Sequence, residues 1–157
     1  MASVHALGLS GGLLATWDLG KAKLKAFVVT AGILLTSFSK DFIEEPNLKN
    51  VYGPYNCKNL FWDSIYYEGT FDIQNLIIVG DLNFIWSPCE FWGSKAKMDS
   101  SGDYFVDLFG AVNLVDVEPN PLNPTRINGQ GGLERVSKRL DIFLMSRPLM
   151  EKMTNFR

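Results

Sequence analysis

Leu76-Ile77-Ile78-Val79-Gly80-Asp81-Leu82-Asn83 carries more of the fold than any other stretch of this 157-residue chain. Four consecutive apolar residues, three of them β-branched, suit a strand buried on both faces of a sheet. Gly80 ends the run, and a carboxylate and a carboxamide follow two residues apart. In extended backbone Asp81 and Asn83 point to the same side. Ligands of α/β sheets bind beyond strand ends, where side chains leave the core yet stay rigidly held. An acid beside an amide can orient a water while hydrogen-bonding a phosphoryl oxygen. The same pair suits an Asx-type turn in which both side chains satisfy backbone groups, and spacing alone leaves both readings open.

Toward the N-terminus, Asn50-Val51-Tyr52 ends in Gly53-Pro54, which stops a strand and starts a loop. Leu60, Phe61 and Ile65 repeat at helical spacing between Lys58 and Glu68. Residues 12–17 and 24–30 read as strands around the turn Asp18-Leu19-Gly20-Lys21, a hairpin-like opening, and residues 31–38 continue in strand-like composition before a polar stretch over 39–49. Toward the C-terminus, Ser100-Ser101-Gly102-Asp103 matches a capping box ahead of Tyr104, Phe105, Leu108, Phe109 and Val112, an amphipathic helix. Residues 114–117 suit a short strand, 118–125 a proline-broken loop, 140–146 a strand, and 148–155 a helix with Pro at its first turn. No internal repeat is present. Buried strands with interspersed helices imply an α/β protein.

Composition agrees with one domain. The chain is 46% apolar and 13% aromatic, which excludes a disordered tail or low-complexity linker. Cys57 and Cys89 form no C-x-x-C pair, arguing for reduced thiols rather than a disulfide framework or zinc knuckle. The longest apolar stretch, residues 26–38, falls short of the roughly 20 residues that span a bilayer. The first 17 residues lack a positive n-region and are broken by glycines, so an intracellular rather than secreted protein is expected. With 15 basic and 17 acidic residues, nucleic-acid binding would need a local patch. Residues 126–139 offer one: Arg126, Arg135, Lys138 and Arg139 against Glu134. It can contact phosphates or form a solvated basic loop. The single histidine, His5, has no partner residues around it and reads as incidental.

Arg139-Leu140-Asp141-Ile142-Phe143-Leu144-Met145 places a carboxylate in an otherwise apolar strand. Asp141 must be paired, reach water at a cleft, or help build a polar site, because an unpaired buried carboxylate is costly. Arg139, two residues earlier, is one partner within reach. Tyr52 at its strand end can donate to a phosphate or serve as an ordinary core-rim residue.

Taken in order, these pieces resemble the endonuclease/exonuclease/phosphatase (DNase I-like) family, especially the endonuclease domains of plant LINE-type non-LTR retroelements. The resemblance rests on Ser10-Gly11-Gly12-Leu13 with Trp17-Asp18, Asn50-Val51-Tyr52-Gly53-Pro54, Gly80-Asp81-Leu82-Asn83-Phe84, Glu90-Phe91-Trp92-Gly93, Asn123-Pro124-Thr125 and Arg139-Leu140-Asp141. It spans nearly the whole chain and implies a four-layer α-β-β-α sandwich, incomplete here, with DNA as partner and a nuclear site of action. It also implies phosphoric-ester hydrolysis with Mg²⁺ or Mn²⁺, which would neutralise developing charge. Under it, Tyr52 with Asn50 contacts the substrate phosphate, Asp81 orients or deprotonates the attacking water, Asn83 holds Asp81 and the phosphoryl group, and Asp141 supports the family's catalytic histidine.

The sequence also departs from that pattern. Only nine residues precede Ser10, where the family carries an Asn strand and a metal-binding Glu strand, and the Ser-Asp-His segment that follows the Arg-Leu-Asp strand is not found. Arg126 stands where Trp is usual. The expectation is therefore one partial domain over residues 1–157, with no metal ligands of its own, little or no hydrolysis, and exposed sheet edges prone to self-association. A non-catalytic nucleic-acid or protein-binding module and a small phosphate-ester phosphatase are the alternative readings.

Overall fold

The computed structural model describes residues 1–6, 12–29, 32–37, 45–93 and 99–153. Its centre is a sheet of six strands: β3 (Leu24–Val29), β4 (Gly32–Ser37), β5 (Asn47–Val51), β6 (Leu76–Asp81), β8 (Leu114–Asp116) and β11 (Asp141–Ser146), in the order β3-β4-β5-β6-β11-β8. Only β5 and β6 run parallel, and the connection between them carries helix α1 (Lys58–Tyr67). That is the crossover a parallel pair requires. Helices α2 (Gly102–Ala111) and α3 (Arg147–Met153) are the other α-helices among the described residues, with short 3₁₀ turns at Thr70–Asp72, Pro88–Glu90 and Gly132–Glu134.

Register assigns each face. Leu76 and Ile78 of β6 share a side with Val51, Ile142 and Leu144, and this side packs on α1 and α2 through Trp62, Ile65, Phe105 and Phe109. Phe84, just past β6, stacks on Phe105 with ring centroids 3.9 Å apart. Aromatic stacking of this kind adds to plain area burial. The opposite side presents Leu48, Ile77 and Met145 to Leu149 of α3, while Ile33 and Leu35 meet Ala15. Ala15 belongs to a two-stranded ribbon of β1 (Ala2–Val4) and β2 (Leu13–Ala15). Helices thus cover one face, and a ribbon and a helix the other.

Three expectations need correction. The turn over residues 18–21 forms, with Lys21 N–H donating to Asp18 O at 3.0 Å, but β2 pairs with β1 and not with β3. The inward face of β2, Leu13 and Ala15, is served equally well by another partner, so adjacency in sequence did not decide the pairing. The capping box at Ser100 does not form: Ser101 is the N-cap of α2 and its side chain makes no cap bond. Asp99 serves that turn, its Oδ1 accepting from Ser101 N–H at 3.1 Å. A complete box stands instead at Ser87–Glu90. Finally, the basic stretch is not simply a loop. Arg126–Ile127 (β9) and Ser137–Lys138 (β10) pair antiparallel, and β10 also pairs with Phe91–Trp92 (β7). Residues 10 and 11 of the Ser-Gly-Gly motif, residues 30, 31 and 38–44, and the end of the helix expected over 148–155 lie outside the described residues.

Candidate functional site

Two carboxylates separated by 60 positions in the chain meet at one end of the central sheet. Asp141, first residue of β11, is the register partner of Asp81, last residue of β6. Leu82 N–H donates to Leu140 O at 2.9 Å, so the alternation of antiparallel bonding makes Asp81 and Asp141 a non-hydrogen-bonded pair. In such pairs the Cα atoms approach to about 4.5 Å and side chains lie closest. Asp141 is exposed and Asp81 half-buried. Burial pushes the Asp81 carboxyl above its ordinary range and the Asp141 charge adds to this, while the Asn83 N–H and the Arg126 guanidinium pull the other way.

The loop after β6 is built around that acid. Asn83 adopts a left-handed conformation (φ 53°), and its N–H donates to Asp81 Oδ1 at 3.2 Å. The Asx-type turn is therefore real. It does not exhaust the pair: the Asn83 amide donates to Gly53 O at 2.5 Å, yet its Oδ1 is buried without a partner. Asp81 Oδ2 lies 3.8 Å from Arg126 Nη1.

Gly53 and Gly80 let β5 approach. Gly53 N–H donates to Asp81 O at 2.7 Å, and a Cβ on Gly53 would fall 2.3 Å from Leu82 O. At Gly80 (φ 141°) a Cβ would fall 1.9 Å from Val51 O and 3.3 Å from Asn50 Oδ1. Asn50, paired with Val79, and half-buried Tyr52 consequently border the same strand end.

The basic stretch separates into two roles. Arg126 and Arg135 are exposed; Lys138 is half-buried with its ammonium 5.3 Å from the Phe91 ring. Arg139 is withdrawn from this group. It is buried, and its guanidinium makes a two-pronged pair with Asp116 (2.6 Å each) and a 2.5 Å bond to Glu90 Oε1. The pairing with Asp141 that the sequence left open does not form: the guanidinium is turned inward to Glu90 and Asp116. Two buried carboxylates need compensation, whereas Asp141 reaches water, and Leu140 is not in the strand, so two-residue parity does not carry from 139 to 141. Hydrogen bonding to Asp116 raises the Arg139 pKa further. Glu90 Oε2 in turn accepts from Trp86 and Ser87 N–H. The roles of Glu90 and Asp116 as partners of Arg139 escaped sequence reasoning, although an acid beside an apolar run signals a buried partner.

Hard cations such as Mg²⁺ and Mn²⁺ take oxygen ligands. Asp81, Asp141 and the orphaned Asn83 oxygen are of that kind. Among the described residues, however, no group of three or more His, Cys, Asp or Glu side chains converges to hold a metal ion. Also among the described residues, no helix is long and apolar enough to cross a membrane.

The mixed sheet flanked by helices matches a solved structure with the DNase I-like α/β fold. One solved structure with this fold is the endonuclease domain of TRAS1, a telomere-specific non-LTR retrotransposon, with a TM-score of 0.69 and 18% identity over 93% of this chain. The chain spans 66% of the length of that domain. No protein-family model matches the chain, and no curated protein matches it in sequence.

Proposed function

We propose that this chain is an endonuclease-type domain of retroelement kind whose β6–β11 end faces the phosphodiester backbone of a nucleic acid. The observation that carries this reading is the direct opposition of Asp81 and Asp141 beside the Asx turn of Asn83. Asp81, with its raised proton affinity, is placed to hold or accept a proton from a water at the phosphorus centre. Tyr52 and Asn50 donate to non-bridging phosphate oxygens, Asn83 fixes the loop through Gly53, and Asp141 shapes the field around Asp81. Arg126, Arg135 and Lys138 meet flanking phosphates. With two acids and an amide at this end, the chain on its own binds DNA with little or no hydrolysis. A longer protein supplying further ligands would use the same end for Mg²⁺- or Mn²⁺-dependent cleavage.

The test is nicking of supercoiled plasmid with Mg²⁺ or Mn²⁺, run beside a salt titration of duplex DNA binding. Binding that weakens steeply with salt supports the reading. Turnover abolished by D81N would show that the chain is catalytic by itself. Neither binding nor turnover overturns the proposal.

A further inference from the structure

We propose that Thr125 is a positioning residue of this site: its hydroxyl oxygen, by accepting from two successive backbone N–H groups, holds Asp141 opposite Asp81. The inference rests on the proposed role of the Asp81–Asp141 end. Thr125 Oγ1 accepts from Leu140 N–H at 2.9 Å and from Asp141 N–H at 3.0 Å. Thr125 is itself anchored, its own N–H donating to Lys138 O at 2.9 Å.

The need for such an acceptor follows from the ladder. At a non-hydrogen-bonded position the Asp141 N–H faces away from β6, toward the side on which β8 lies. But β8 runs out before reaching it: the pairing of β8 with β11 covers Leu144, Met145 and Ser146, and the last bond on that side is Val117 N–H to Phe143 O at 2.8 Å. Past that point β11 has, among the described strands, no neighbour on that side to take the Asp141 N–H, and an unpaired terminus frays. Thr125 substitutes one side-chain oxygen for the missing strand. Since Leu140 O is at the same time bonded to Leu82 N–H, residues 140 and 141 are held from both sides, and the carboxylate that follows is fixed against Asp81.

The experiment replaces Thr125 with Val, which keeps the shape and removes the acceptor, and with Ser, which restores it. The readouts are the titration midpoint of the Asp81 carboxyl carbon by NMR and the exchange rate of the Asp141 amide, both without nucleic acid. In T125V, Asp141 drifts from Asp81, so the Asp81 midpoint falls toward the ordinary value near 3.9 and Asp141 amide exchange accelerates at least roughly tenfold. T125S keeps both at wild-type values. The proposal is overturned if T125V matches wild type, or if T125S behaves as T125V. Should T125V fail to fold, the unsubstituted chain still decides: Leu140 and Asp141 amides protected from exchange support the hydroxyl cap, and unprotected ones overturn it. Loss of DNA binding in a chain that passes these tests would count against the nuclease-type function alone.

Discussion

Asp81 and Asp141 face one another across antiparallel strands, and the only cation near Asp81 among the described residues is Arg126, 3.8 Å away and largely exposed. Burial, with the Asp141 charge adding to it, raises the proton affinity of the Asp81 carboxyl. Because the Asp81 pKa is raised on folding, the native chain binds more protons than the unfolded chain between the two pKa values. Stability therefore falls as pH rises through that window, and the loss persists above it. D81N removes the charge while keeping an oxygen for the Asn83 N–H. It should melt higher than wild type at pH 7, with the gap closing as pH drops below the ordinary Asp value of about 3.9. Thermal melts of both proteins across pH 3–8, on a scale set by that value, check it.

Arg139 joins β8, the Pro88–Glu90 turn and the residue before β11 through Asp116 and Glu90. R139M leaves two carboxylates without their cation in buried surroundings and should cost about 3–5 kcal/mol in urea unfolding. R139K should recover only part of this, because a point-charge ammonium cannot reproduce the fork that grips Asp116. A triple variant, R139M with E90Q and D116N, should be markedly more stable than R139M alone. Equal stability would show that the network is not coupled.

The elements legible in the sequence were those with a strong local signal. The dry run at residues 76–79 and the α1 and α2 periodicities stand where their patterns put them, and the strand expected over 140–146 forms over Asp141–Ser146, because each buries a face whose period is written in consecutive residues. The Asp81–Asp141 encounter was accessible only through motif order, since nothing in the spacing of 81 and 141 fixes their register. Strand β1 and the β9–β10 ribbon are two or three residues long and carry no periodic signal. The destination of Arg139 depended on two acids 49 and 23 positions away. Their burial is a tertiary fact, visible only once the chain is folded.

Gly80 is a position where a methyl group cannot enter. Its φ of 141° and the 1.9 Å approach of Val51 O to a would-be Cβ predict that G80A separates β5 from β6 and prevents cooperative folding. Gly110 is the control. A Cβ there meets nothing within 4 Å, and it lies in the last turn of α2, so G110A should stabilise the chain by about 0.5–1 kcal/mol. Circular dichroism melts of the two single variants distinguish them, and equal behaviour would contradict the packing described at β5–β6.

Exposed Arg126 and Arg135 are the residues of the basic stretch best placed to meet phosphates. Each phosphate contact releases condensed counterions, so R126A and R135A should each reduce the magnitude of the log Kd versus log salt slope by about 1. R139M should leave that slope unchanged in whatever fraction remains folded, because its guanidinium is turned inward. Fluorescence anisotropy on one duplex at several salt concentrations reads all three. A slope insensitive to both exposed arginines would move the nucleic-acid contact elsewhere on the surface.

Strand β3 forms one edge of the central sheet, bonded to β4 alone among the described strands, with Val28 65% and Phe27 39% exposed. A long edge carrying exposed apolar residues is a template for pairing with a second copy. Lys25, with its ammonium 4.8 Å from the Phe27 ring, blunts the face it shares with Phe27 but not the face of Val28. Sedimentation velocity should therefore show concentration-dependent association of the wild-type chain. V28K, which places a charge at this exposed position of the edge, should shift the population toward monomer without lowering the melting temperature by more than about 2–4 °C, the size of a surface substitution in a domain of this length. Association that persists in V28K would place the self-contact on another surface, with the exposed Leu60 and Tyr67 of α1 the next to substitute.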